Sequence, residues 1–224
     1  MKNQDPAPAE NYIIQLGKRK WKKPKDYQPA KNQTTQPLKW KEALRLIKSL
    51  QFDNDFENLF LVSMGFYFGL RISDLLKLTF GQISQKHFEV IEKKTRKRRL
   101  VSIPKGFQKI LFAYSDFLDH NNLPRPKAND FVLSSTLHNT NKPLHLNTAN
   151  YRLKQTFKKY FVETANPSSH TLRKTFGLRF YKLNGKNDNA LLHLSEIFNH
   201  SNSTVTRRYL GLTKKKLSKM TYNF

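Results

Sequence analysis

Cysteine is absent from the 224-residue chain, which excludes disulfides, thiolate zinc sites and a cysteine nucleophile, and suits a reducing compartment. Acidic residues are scarce: 16 Asp and Glu stand against 41 Lys and Arg, for a formal net charge of +25. Long hydrophobic runs are also lacking. The longest, Leu59 to Leu70, falls well short of the ~20 residues of a membrane span and reads as a buried helix. Met1 to Pro8 has no apolar core of a secretory signal. These absences point to a chain without a membrane partner that is cytoplasmic, or nucleoid-associated if bacterial.

What is present begins with the positive charge, spread over the whole length. Cations that displace condensed counterions from phosphates gain affinity without reading sequence, so nucleic acid is the first partner to consider. Charge alone does not separate an enzyme from a ribosomal or nucleoid protein. The hydrophobic share of 38%, with 12% aromatic, is enough for one core. Residues 1–37 carry Pro6, Pro8, Pro24, Pro29 and Pro37 and the basic cluster Lys18 to Lys25 around Trp21, with little apolar periodicity. They read as a flexible basic arm, either a phosphate-tracking segment or a solubilising tail.

Residues 38–224 read as one mainly α domain with a small antiparallel β-hairpin, an α+β class, ending in a short tail. Leu38, Ala43, Leu44, Ile47 and Leu50 mark a first helix; Phe56, Leu59, Phe60, Met64 and Tyr67 a second, ended by Gly69. Ser73 is the expected cap of the next, which puts Arg71 in a turn between helices. Phe88 to Glu92 and Arg99 to Ile103 predict a hairpin with Lys94 at its basic mouth. Helices are predicted over Phe107–Phe117 and Thr148–Phe161, with a short strand at Phe131–Leu133 between them. Ser168 or Ser169 caps a helix closed by Asn184-Gly185. Its first turn carries His170 and Arg173 on one face, at an end whose dipole favours anions. Leu194, Ile197 and Phe198 end a helix at Asn199-His200, and Ser203 is the expected cap of a last short helix reaching Tyr209. That turn holds an imidazole near a phenol, with Arg207 and Arg208 adding positive charge.

Taken together, Gly69-Leu70-Arg71, Lys94-Thr95, His170-Thr171-Leu172-Arg173, Asn199-His200-Ser201 and Tyr209 resemble, in order and approximate spacing, the catalytic domain of tyrosine recombinases, the phage-integrase family. The resemblance covers about Leu38 to Leu212. It implies cleavage of double-stranded DNA by attack of Tyr209 on a phosphodiester, leaving a 3′-phosphotyrosyl link and a free 5′-hydroxyl, with no metal or nucleotide cofactor. It implies that His170 takes part in proton transfer at the tyrosine, that Lys94 protonates the departing 5′-oxygen and that His200 donates to the phosphate. It further implies a homotetramer on two DNA sites. Chemistry fits: a phenol of pKa about 10 needs a proton acceptor and a cationic field, and Arg71 and Arg173 can hold non-bridging oxygens in bidentate fashion as Lys cannot.

The sequence departs from the family's pattern in two places. Asn199 stands where Gly is common, a change that the left-handed conformation tolerates. The usual N-terminal core-binding domain is expected to be absent, since an arm ending near Pro37 cannot form it. Two other readings share these residues: a type IB topoisomerase-like nicking-closing enzyme, and a non-catalytic DNA-binding protein that keeps the fold. Tyr222 is the competing nucleophile, in a tail without an adjacent His.

Overall fold

The structure is a computed structural model and describes residues 34–134 and 142–212. Residues 1–33, including Lys18 to Lys25 and Trp21, and the tail with Tyr222 lie outside the described residues. Nine helices and one two-stranded sheet are found among the described residues: α1 (Trp40–Phe52), α2 (Phe56–Phe68), α3 (Ile72–Leu75), α4 (Phe80–Ile83), β1 (His87–Ile91), β2 (Arg98–Ser102), α5 (Lys105–His120), α6 (Leu146–Lys159), α7 (Ser169–Leu183), α8 (Asp188–Ile197) and α9 (Ser203–Tyr209). Among these residues no helix is long and apolar enough to cross a membrane.

Helix α2 is the centre. Leu59, Phe60, Leu61, Val62, Met64, Phe66 and Phe68 are all buried, so it is apolar all round and must be covered by other elements. It contacts α1, α5, α6 and α7. Burying each such Leu or Phe contributes roughly 1.5–3 kcal/mol. Asp55 caps its start by accepting from Asn58 N. The crossing with α7 is close because Gly65 has no side chain: a Cβ there would lie 2.6 Å from Leu172 Cβ. A smaller cluster, Leu191, Leu194, Phe198 and Leu210, joins α7, α8 and α9.

The hairpin pairs β1 with β2 in antiparallel register, Phe88 opposite Val101 and Ile91 opposite Arg98, one residue short of the predicted ends at Glu92 and Ile103. Phe131 forms only an isolated bridge, with Thr79, rather than a strand. Two caps also fall elsewhere than expected. Arg71, extended at φ −68 and ψ 147, is the residue before α3, so Ser73 lies inside the helix and its hydroxyl donates to Asp74 Oδ1 at 3.3 Å. Asn202 rather than Ser203 caps α9, accepting from Val205 N at 3.0 Å. Both types can cap, and asparagine here already has the extended backbone that the position needs.

Candidate active site

Three helix ends converge to make the site. At the end of α2, Gly69 adopts a left-handed φ of 57, and a Cβ there would come within 2.3 Å of the Phe176 ring. Only glycine meets both demands. The chain then turns, buries Leu70, and delivers Arg71. At the end of α8, Asn199 is left-handed at φ 48, as its type permits, and turns the chain into His200 and α9.

Helix ends leave carbonyls without partners, and the arginines fill this role. Arg173 donates to Gly69 O (2.6 Å) and Phe198 O (3.0 Å). Arg71 also donates to Phe198 O, at 3.1 Å. Arg99 donates to Phe68 O (2.6 Å) and Gly69 O (3.4 Å). Two guanidinium groups therefore meet on one carbonyl at the negative end of α8. Each guanidinium carries five N–H groups, so these contacts leave others over for an anion. Arg173 is 4% exposed, with its guanidinium 4.2 Å from the centroid of the Phe198 ring. Burial first, then the charge of Arg71, brings its pKa down to about 10.

Tyr209 ends α9 inside this cationic wall. Its ring is edge-on to Phe198 at 5.7 Å and to His200 at 5.4 Å between centroids, and Lys174 Nζ lies 5.0 Å from its centroid. Tyr209 Oη is 3.3 Å from His170 Nδ1. Burial pushes the phenol up to about 12, against the charges of Arg173 and Arg71 and a hydrogen bond from Arg173 that favour phenolate. His170 is exposed as a residue. The loss of water where its ring meets Tyr209 nevertheless lowers its pKa, helped by Lys174, Arg173, Arg71 and Lys94. His200 is brought down to about 4 by burial and then by Arg173 and Arg71. Its Nδ1 is 2.8 Å from the buried hydroxyl of Thr206.

The structure thus brings Arg71, Arg173, His170, His200 and Tyr209 together. Lys94 sits in the exposed turn of the hairpin, close enough for its charge to act on both imidazoles. Ser168 caps α7 in a reciprocal capping box with Thr171. The first amides of α7 are taken: Ser169 N by Asn150 Oδ1 and His170 N by Ser168 Oγ. What that end offers an anion is therefore its dipole and its side chains. Arg207, predicted to add charge beside the phenol, pairs with Asp188 instead.

Sequence reasoning missed Glu92, whose side chain is 0% exposed and meets Arg71 Nη1 at 2.5 Å. The available signal was a lone carboxylate at the edge of a basic run with no other acid before Asp116. Lys174, which donates to Thr35 O at 2.7 Å, was missed too, with no signal beyond its place next to Arg173.

The model of the phage integrase family matches residues 36–216. The probable integrase/recombinase YoeC of Bacillus subtilis (strain 168) is 29% identical over 178 residues, which are 79% of this chain and 90% of that one. Among solved structures, XerA recombinase is similar with a TM-score of 0.61 and 22% identity, over 86% of this chain and 66% of that one. XerH site-specific recombinase bound to palindromic difH substrate, in a post-cleavage complex, has a TM-score of 0.61 and 16% identity, over 83% of this chain and 52% of that one. The chain spans between about half and two thirds of the length of these two solved proteins.

Proposed function

This chain belongs to the phage integrase family, and from that premise and the geometry above we propose that it is a site-specific DNA recombinase working through a 3′-phosphotyrosyl intermediate. Tyr209 Oη attacks the scissile phosphorus. The phenol proton passes to His170, which its lowered pKa keeps neutral near pH 7 and so able to accept. The P–O5′ bond breaks as the P–Oη bond forms, and Lys94 gives its proton to the 5′-oxygen. Arg71 and Arg173 hold the non-bridging oxygens, where charge accumulates in the transition state. In the tautomer whose Nδ1 accepts from the Thr206 hydroxyl, neutral His200 carries its proton on Nε2 and directs it at the phosphate.

The phosphotyrosyl bond keeps the energy of the phosphodiester, so a second 5′-hydroxyl can reverse every step without a nucleotide cofactor. A poorly acidic phenol also serves the enzyme at rest, since the nucleophile stays protonated until a phosphate meets the arginines. Double-stranded DNA as substrate is supported by the net charge of +25 and by the relative bound to a difH site. Each chain supplies one nucleophile, and exchange between two duplexes breaks four strands, hence four copies on two sites.

The observation that carries this reading is the 3.3 Å approach of His170 to Tyr209 Oη beside two arginines that share the Phe198 carbonyl. A nicked suicide substrate, which traps the intermediate when the cleaved end diffuses away, tests it on a denaturing gel. The full-length protein yields a covalent adduct and Tyr209→Phe yields none, at nearly unchanged DNA affinity. An adduct undiminished in Tyr209→Phe contradicts the assignment.

A further inference from the structure

The buried carboxylate of Glu92 has no part in the chemistry above, yet it is the densest polar junction in the site. Its Oε2 accepts from Arg71 Nη1 (2.5 Å), Asn199 Nδ2 (2.7 Å) and Thr95 Oγ1 (2.9 Å), and its Oε1 lies 3.9 Å from Arg99 Nη1. These donors come from three separate places: the turn after α2, the corner between α8 and α9, and the hairpin. The backbone of Glu92 also closes the hairpin turn, donating to Lys97 O (3.0 Å) and accepting from Arg96 N (2.8 Å). On the other side of Lys94, Lys93 N donates to buried Asp74 Oδ1 at 2.9 Å. The two neighbours of Lys94 are thus each held by a buried carboxylate, while Lys94 itself is exposed.

The geometry points to Glu92 as a positioning residue for leaving-group protonation: it fastens the turn that carries Lys94 to the Arg71 turn and the Asn199 corner, and so aims the lysine at the departing 5′-oxygen. A carboxylate suits this place because one oxygen can accept from several donors at once, and charge-assisted bonds are about twice as strong as neutral ones. Burial by itself would raise the Glu92 pKa, but the bonds from Asn199 and Thr95 and the charge of Arg71 outweigh it and hold the carboxyl below its usual range. The junction is therefore ionised at neutral pH. Glu92 moves no proton; it fixes the place from which one is given. The inference rests on the reading of Lys94 as the acid.

Single-turnover cleavage of two suicide substrates tests this, one with the natural bridging 5′-oxygen and one with sulfur in its place. A thiol's pKa of about 8.5 lets the sulfur leave without being protonated, so any defect in proton delivery disappears on that substrate. Lys94→Ala is expected to slow the oxygen substrate at least about a hundredfold, the usual worth of a general acid, and to cleave the sulfur substrate within a few-fold of the unaltered protein. Glu92→Gln is expected to lose roughly tenfold or more on oxygen and to recover most of it on sulfur. Thr95→Val removes only the hairpin's bond to Glu92 and leaves the Arg71 contact in place, so it serves if Glu92→Gln does not fold. It should show the same rescue on a smaller scale.

If Lys94→Ala is rescued while Glu92→Gln and Thr95→Val are equally slow on both substrates, or unimpaired on oxygen, the lysine keeps its role and the positioning of it by Glu92 is overturned. If Lys94→Ala itself stays slow on sulfur, the reading of the lysine falls and this inference falls with it.

Discussion

Arg173 shows why residue type matters more than charge in this site. Its two terminal nitrogens reach carbonyls from different helices, Gly69 O and Phe198 O, and the remaining N–H groups keep the fork that fits phosphate oxygens. A lysine ends in one nitrogen and cannot do both. Arg173→Lys should therefore cleave a suicide substrate roughly a hundredfold more slowly at saturating DNA, the usual loss for one oxyanion contact, with a much smaller change in affinity. Cleavage at the unaltered rate would show that a point charge suffices. The side chains that the structure gathers around Tyr209, namely Arg71, Arg173, His170 and His200, were legible in the sequence because few types can serve as phenol, imidazole or forked cation. Glu92 was not, because the reading of a basic hairpin looked for cations. Nor does spacing reveal that Arg71 and Asn199 meet on one oxygen, since those residues lie far apart along the chain and only the fold joins them.

Among the elements, the turn after α2 is the most constrained. Gly69 must be left-handed, its missing Cβ makes room for Phe176, and its carbonyl receives both Arg173 and Arg99. Gly69→Ala should destabilise the protein by about 1–2 kcal/mol for the backbone and by a further roughly 1–3 kcal/mol for overpacking. Gly211 provides the control: its φ is 71 but nothing lies within 4 Å of a Cβ there, so Gly211→Ala should show the backbone part alone. Urea unfolding of the two variants checks this, and equal losses would mean that the Phe176 contact relaxes freely. Periodicity and glycine placement made α1, α2, α5, α6, α7 and the hairpin readable from sequence. The start of α9 slipped by one residue because Asn202 and Ser203 are both capping types, and that of α3 by two because Arg71 precedes it with no side-chain cap at all, its place set by the turn at Gly69.

On the scale of the whole molecule, the excess of cations extends beyond the described domain into residues 1–33, where Lys18 to Lys25 is the densest cluster. We propose that this arm tracks DNA phosphates. The base of the arm instead belongs to the domain. Thr35 O accepts from Lys174 Nζ, Gln36 N donates to Ala165 O, and Leu38 N donates to Thr175 Oγ1. These bonds lace residues 35–38 onto α7 and the segment before it, so a deletion that leaves the site intact must stop before Thr35. Removing residues 1–33 should flatten the slope of log affinity against log salt by several units, at about 0.9 for each phosphate that the arm neutralises, while the cleavage rate at saturating DNA stays close to that of the full chain. An unchanged slope would make the arm a passive tail.

Of all measurements on the molecule, identification of the residue joined to DNA bears most directly on how it works. The trapped adduct of the full-length protein, digested with protease and nuclease and sequenced by mass spectrometry, should give a single modified peptide. In it Tyr209 carries a nucleotide through the 3′-phosphate, and the released strand bears a 5′-hydroxyl. A link at Tyr222 or any other side chain, or a 5′-phosphate on the tyrosine, would contradict the assignment of Tyr209 and the geometry built around it.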